Sequence, residues 1–194
     1  MSDTIIPQVQ HPWHISIGNN VPNVVTTIIE IPKGSRMKYE LDKASGLLRL
    51  DRVLYSAMYY PMNYGLVPQT YFDDGDPLDI LVICSFDIQP LCVVDARIIG
   101  IMHMEDENGI DDKIIAVAHH DPAYLHIQDL SDIPDHHMVE LKNFFEGYKA
   151  LENKVVTVGD MYGKKAAQEC AVRSHQLYKE KFAIQYNGEN RLKQ

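Results

Sequence analysis

The run Asp73-Asp74-Gly75-Asp76-Pro77-Leu78-Asp79-Ile80-Leu81-Val82-Ile83 packs four carboxylates into a turn and leads straight into an apolar strand. Like charges at this spacing repel, and burying them unpaired costs on the order of a few kcal/mol each. A chain that keeps them together needs a compensating cation. The loop offers neither Cys nor His, and hard oxygen ligands suit Mg²⁺ or Mn²⁺ better than zinc. Gly75 permits a sharp turn, and Pro77 stiffens the exit into the strand. Asp, Gly and Pro also build ordinary solvated turns, so this stretch alone leaves a plain acidic loop open. A second stretch repeats the pattern. Asp106-Glu107-Asn108-Gly109 and then Asp111-Asp112-Lys113 precede the apolar run Ile114–Ala118. Two acidic loops, each feeding a buried strand, strengthen the cation reading.

The elements that must position these loops are mostly strands. Val24–Ile31 is rich in β-branched residues and stops at Pro32. Met37–Leu41 and Leu47–Leu54 flank the turn at 42–46, and Leu78–Cys84, Cys92–Met102, Ile114–Ala118 and a short Val155–Val158 follow. Glu30, between Ile29 and Ile31, faces either solvent or a site. Lys38 and Glu40 share one face of their strand, opposite Tyr39. Arg49 and Arg52 read by alternation as solvated. The connection Tyr55–Tyr71 carries Tyr55, Tyr59, Tyr60, Tyr64 and Tyr71, whose hydroxyls can meet phosphate while their rings equally suit a core edge.

Two helices come late. The first starts at Pro134-Asp135 and ends near Gly147, with Met138, Leu141, Phe145 and Tyr148 at helical spacing. The second runs from about Gly163 to Phe182. Its small residues Ala166, Ala167, Cys170, Ala171 and Ser174 form a face for close packing on a sheet. Residues 1–23 read as an arm broken by Pro7, Pro12 and Pro22, with Trp13 packing it onto the core. Residues 185–194 read as a fraying polar tail.

A chain of 194 residues fits one domain over 1–194. The net charge of −9 argues against a nucleic-acid or anionic-membrane surface. Metal ions and local cations can still draw a polyanion into such a protein. Cys84, Cys92 and Cys170 form no CxxC pair, so a reducing, cytoplasmic setting is expected rather than a disulfide framework. No signal peptide or membrane span is read from the sequence.

Taken together, these segments resemble the family I soluble inorganic pyrophosphatases. Asp74-Gly75-Asp76-Pro77-Leu78-Asp79 matches the family's DGDPxD motif. Glu30-Ile31-Pro32, Lys38-Tyr39-Glu40, Asp51-Arg52, Tyr60-Pro61, Asn63-Tyr64-Gly65, Asp106-Glu107, Asp111, Lys113, Phe144-Phe145 and Tyr148-Lys149 follow the family order. The likeness covers about residues 24 to 160. It implies an α+β, mainly β fold: an OB-like five-stranded closed β-barrel flanked by two C-terminal helices.

The implied reaction is Mg²⁺-dependent hydrolysis of pyrophosphate to two orthophosphates by a metal-activated water. Several Mg²⁺ ions would serve each site, with Mn²⁺ or Zn²⁺ as substitutes. By resemblance Asp74, Asp79 and Asp111 hold the first metal, Asp79 bridges to a second, Asp106 with Asp111 takes a further ion, and Glu30 acts mainly through water. Asp76 is the implied general base. Lys38, Arg52, Tyr64, Lys113, Tyr148 and Lys149 hold the phosphates, and Glu40, Tyr60, Glu107 and Asp112 support them. A homo-oligomer is implied, with a hexamer favoured. Hexameric members often carry histidines on the helix ending at Tyr148-Lys149, where this chain has Asn143 and Gly147.

Three rival readings fit less well. An EF-hand loop beginning at Asp74 puts Leu78 at its fifth position and Ser85 at its twelfth, where oxygen ligands are needed. An OB-type oligonucleotide binder needs a basic groove with stacking aromatics, and here the tyrosines are accompanied by carboxylates. A phosphohydrolase using an aspartyl-phosphate carries its DxD after a buried strand, whereas here the strand comes after the motif.

Overall fold

The computed structural model describes residues 10–107 and 109–189, with side chains to position 182. Its strands are β1 Val24–Ile31, β2 Met37–Leu41, β3 Leu48–Val53, β4 Asn63–Leu66, β5 Asp79–Ile83, β6 Val93–Asp106, β7 Gly109–Ile110, β8 Lys113–Ala118 and β9 Thr157–Gly163. The helices are α1 Asp135–Gly147 and α2 Lys164–Glu189. Strands β1, β4, β5, β8 and β6 pair in that order, and β6 pairs back to β1. The sheet therefore closes into a five-stranded barrel, with β5 and β8 its one parallel pair. Closure leaves the ring without open edges. β7 and β9 extend β6, while β2 and β3 form a separate two-stranded hairpin.

The apolar runs are continuous because both faces of the strands are covered. Leu81 and Ile83 of β5 join a core with Leu141, Phe144 and Phe145 of α1. Their neighbours Ile80 and Val82 join another with Ala167 and Ala171 of α2. The small-residue face of α2 thus lets the helix lie close to the barrel. Where β4 crosses β1, only glycine fits: a Cβ on Gly65 would lie 2.0 Å from the Ile28 carbonyl oxygen. The arm docks through Trp13, which is buried and donates from Nε1 to the Thr70 carbonyl at 2.7 Å.

Two bulges aim charged side chains. In the β1–β4 pair, Ile29 faces Gly65 and Ile31 faces Tyr64, so Glu30 is the extra residue. In the β2–β3 pair, Lys38 faces Arg52 and Tyr39 faces Leu50, so Asp51 is the extra residue. An extra residue breaks the in–out alternation and re-aims its side chain.

Several expected boundaries shift. β4 lies inside the tyrosine-rich stretch read as a connection, because β1 and β5 hold its backbone on either side. β6 continues past Met102 to Asp106 because β9 pairs with Met104 and Glu105 and β7 with Glu105 and Asp106. The last strand is Thr157–Gly163 rather than Val155–Val158, with Val155 80% exposed and outside it. α2 runs beyond Phe182 to Glu189, so the expected polar tail is helical over 185–189. Its last five residues and positions 1–9 of the arm lie outside the described residues.

Candidate active site

One cavity of about 430 Å³ opens at the end of the barrel where the acidic loops meet the β2–β3 hairpin. Glu30 enters it from the bulge in β1 and Tyr64 from β4. The hairpin supplies Lys38, Glu40 and Arg52. Asp74 and Asp76 come from the first acidic turn, where Gly75 has φ +90°, and Asp79 opens β5. Asp106, Glu107, Asp111 and Lys113 come from the span joining β6 to β8. Tyr148 and Lys149 follow the end of α1, and Tyr60 lies on the same wall. Among the candidate residues only Asp112 stays off the wall: it accepts from the Met104 amide at 3.2 Å and pairs with His103 at 2.7 Å.

One set of lining groups is acidic: Glu30, Asp74, Asp79 and Asp111. Burial, with Asp79 close by, pushes Glu30 up to about 8. Burial and Asp79 raise Asp74 too. Burial, reinforced by Asp79, lifts Asp111 to about 7 even with Lys113 beside it. Burial thus makes Glu30, Asp74 and Asp111 hold their protons more tightly than free carboxyls do. The Lys113 ammonium lies 2.7 Å from both Asp79 and Asp111. Burial alone would lower its pKa, but the two carboxylates outweigh burial and raise it. Tyr64 donates to Asp79, and Lys43 from the hairpin turn pairs with Asp76.

A second set is basic, and each member is paired with a carboxylate. Lys38 contacts Glu40 and lies 3.4 Å from Asp51. Arg52 Nη1 donates to Asp51 and Nε to Glu152 at 2.9 Å. Lys149 pairs with Asp106 at 2.7 Å, both side chains under a tenth exposed. Lys154 pairs with Glu107 at 2.6 Å, and that hydrogen bond heads the causes holding Glu107 down at about 2. Buried Arg52 Nη2 has no hydrogen-bond partner among the described residues.

A hard divalent cation fits these carboxylates. The donors are all oxygens, and burial raises Glu30, Asp74 and Asp111 in pKa. Among the described residues no three such groups are already gathered around one point. Lys113 supplies positive charge between Asp79 and Asp111 instead. Arg52 Nη2, buried and without a hydrogen-bond partner among the described residues, suits a phosphate oxygen.

Sequence reading missed four residues of the cavity wall or its supports. Lys43, Asp51 and Lys154 line it, and Glu152 holds Arg52 from behind. Lys43 carried only a turn signal. Asp51 drew notice only as the neighbour of Arg52, and its role depends on the bulge. Glu152 and Lys154 follow Lys149 closely, which was the sole cue to them.

An OB-like barrel with one cavity lined by clustered carboxylates and by lysine and arginine side chains fits a phosphate-handling hydrolase. A sequence profile of inorganic pyrophosphatase matches residues 27–179. Soluble inorganic pyrophosphatase 2 of Chlamydomonas reinhardtii is 47% identical over 173 residues, 89% of this chain and 90% of that protein. The soluble inorganic pyrophosphatase of Oryza sativa subsp. indica is 48% identical over 169 residues, 87% of this chain and 79% of that one. The crystal structure of inorganic pyrophosphatase from Thermus thermophilus aligns with a TM-score of 0.86 at 42% identity, over 88% of this chain and 99% of that chain. This chain belongs to the inorganic pyrophosphatase family, whose members are metal-dependent hydrolases.

Proposed function

We propose that this chain hydrolyses inorganic pyrophosphate to two orthophosphates with Mg²⁺ as its metal. The observation that carries the reading is one cavity lined both by the carboxylates Glu30, Asp74, Asp79 and Asp111 and by the cations Lys38, Arg52 and Lys149. Such a site can take a small polyanion together with divalent cations. It also accounts for an acidic protein that accepts an acidic substrate.

Asp74, Asp79 and Asp111 would hold the first ion, with Asp106 and Glu30 contributing to further ones. Bound ions would neutralise substrate charge and acidify the attacking water. Asp76 would take the proton from that water. Its carboxylate pairs with Lys43 at the cavity. Arg52, Lys38 and Lys149 would hold the phosphate oxygens and stabilise charge as the bridging bond breaks. Burial raises the Tyr60, Tyr64 and Tyr148 hydroxyls well above their ordinary pKa, so they remain donors at neutral pH. Glu40 and Glu107 would hold the neighbouring lysines in place.

A cytoplasmic location and a homo-oligomer belong to the same proposal. Three free thiols support the first. Exposed apolar side chains such as Tyr55, Phe86 and Val155 support the second, and sedimentation velocity tests it. Among the described residues no helix is long and apolar enough to cross a membrane.

The direct test of function is phosphate release from pyrophosphate during a Mg²⁺ titration, with ATP and a phosphomonoester in parallel. Fast Mg²⁺-dependent release from pyrophosphate is the expected result. Failure to release phosphate, with Mg²⁺ or Mn²⁺ still bound, would reduce the site to a metal-binding scaffold.

A further inference from the structure

We propose that Glu152 is a positioning residue that fixes the spacing of two phosphate-holding cations, Arg52 and Lys149. The inference rests on the proposed function and adds to it a residue outside the substrate and metal contacts.

Arg52 stands on the β2–β3 hairpin, which forms a sheet separate from the barrel. The hairpin itself is held by backbone bonds between Tyr60 and residues 34–35 and by Glu30, which accepts from the Leu41 amide; the direction of the guanidinium depends on its side-chain partners. The guanidinium is a rigid planar fork, so holding two of its nitrogens orients the third. Asp51, on the same hairpin, takes Nη1. Glu152 takes Nε at 2.9 Å from one hundred residues further along the chain. What remains is Nη2, buried and without a hydrogen-bond partner among the described residues. A phosphate oxygen is the ligand this donor suits. Asp51 lies on the same hairpin as Arg52, so Glu152 is the partner that ties the guanidinium to the turn after α1.

Glu152 is itself fixed. It ends a 3-10 turn, Ala150–Glu152, that begins where Lys149 leaves off. Its amide donates to the Lys149 carbonyl at 2.9 Å, and Asn153 closes the turn at φ 56°. Its side chain is 9% exposed. Lys149 in turn is pinned to Asp106 at 2.7 Å. One short turn thus runs from a cation at the end of α1 to a carboxylate that grips a cation on β3. A substrate with two phosphate groups needs these cations at a set separation, and Glu152 supplies it.

The test compares Glu152→Ala with Glu152→Gln, whose carbonyl oxygen still accepts from Nε. Each is made in the natural chain and in Arg52→Lys, and KM and kcat are measured with pyrophosphate and saturating Mg²⁺. Glu152→Ala should lower kcat/KM about tenfold. Glu152→Gln should recover most of the loss. In the Arg52→Lys background Glu152→Ala should lower kcat/KM by less than about twofold, because the group it positions is already gone. An equal fold-loss in both backgrounds would make Glu152 a structural residue and overturn the proposal. An unchanged kcat/KM in Glu152→Ala would overturn it too. A natural chain that leaves pyrophosphate intact would overturn the proposed function itself, a result distinct from an active chain whose Glu152 variants behave additively.

Discussion

Lys113 Nζ lies 2.7 Å from Asp79 Oδ2, on a lysine side chain only 2% exposed. The same ammonium reaches Asp111 at 2.7 Å. It therefore keeps two neighbouring carboxylates from facing each other unscreened. Lys113→Met removes that charge and leaves both acids in a poorly solvated wall. The variant should lose about 3–5 kcal/mol of stability in the absence of metal. Millimolar Mg²⁺ should return more stability to the variant than to the natural chain, since binding to the folded state alone stabilises it. Urea denaturation with EDTA or with Mg²⁺ measures both. A variant as stable as the natural chain in EDTA would remove Lys113 as the screening charge.

Asp76 pairs with Lys43 across the gap between the acidic turn and the hairpin turn. Its carboxylate is nearly half exposed, so Asp76→Asn makes no cavity and strands no buried charge. The fold and Mg²⁺ binding should survive. Turnover near neutral pH should fall about 10²–10⁴-fold, the range for losing a positioned base. Calorimetry of Mg²⁺ binding beside steady-state kinetics separates the two effects. Turnover close to that of the natural chain would exclude Asp76 as the base.

The acidic turns could be read from sequence because carboxylate spacing, Gly75 and Pro77 are local signals. The two helices were equally legible, since Leu141, Phe145 and Tyr148 recur at helical spacing and the small residues of α2 mark a packing face. Glu30 was not. Its direction is set by a bulge, and a bulge exists only once β1 is paired with β4. Arg52 was misread by alternation for the same reason, because the extra residue Asp51 shifts the register beside it. β4 was hidden by Asn63, Tyr64 and Gly65, which look like a turn until β1 and β5 hold them in a ladder. Barrel closure came from family likeness rather than periodicity, because alternation says nothing about which strands pair.

Gly65 offers a sharp test of that closure. A methyl group there would sit 2.0 Å from the Ile28 carbonyl oxygen and 2.9 Å from the Ile29 Cα. Both obstacles are backbone, so no rotamer change relieves them. Gly65→Ala should cost about 3 kcal/mol or more and weaken the site, since Glu30 lies next to the contact and Tyr64 beside the glycine. Gly34→Ala is the control: its Cβ would meet nothing within 4 Å, but its φ of +81° carries strain, so a loss near 1 kcal/mol is expected. Thermal unfolding of the two variants should rank them in that order. Equal melting points would mean β4 and β1 do not approach this closely.

The cysteines test the packing of α2. Cys170 lies on the face turned to the barrel, and burial pushes its thiol up to about 11. Burial raises Cys84 as well, whereas Cys92 is exposed. The thiolate is the reactive form, so iodoacetamide at pH 8 should modify Cys92 first and Cys170 last. Native labelling of Cys170 should quicken by about tenfold per pH unit up to its pKa, and denaturation should remove the difference among the three. Peptide mass mapping over a time course reads each site separately. Cys170 reacting as fast as Cys92 in the native chain would mean that α2 does not hold its small-residue face against the barrel.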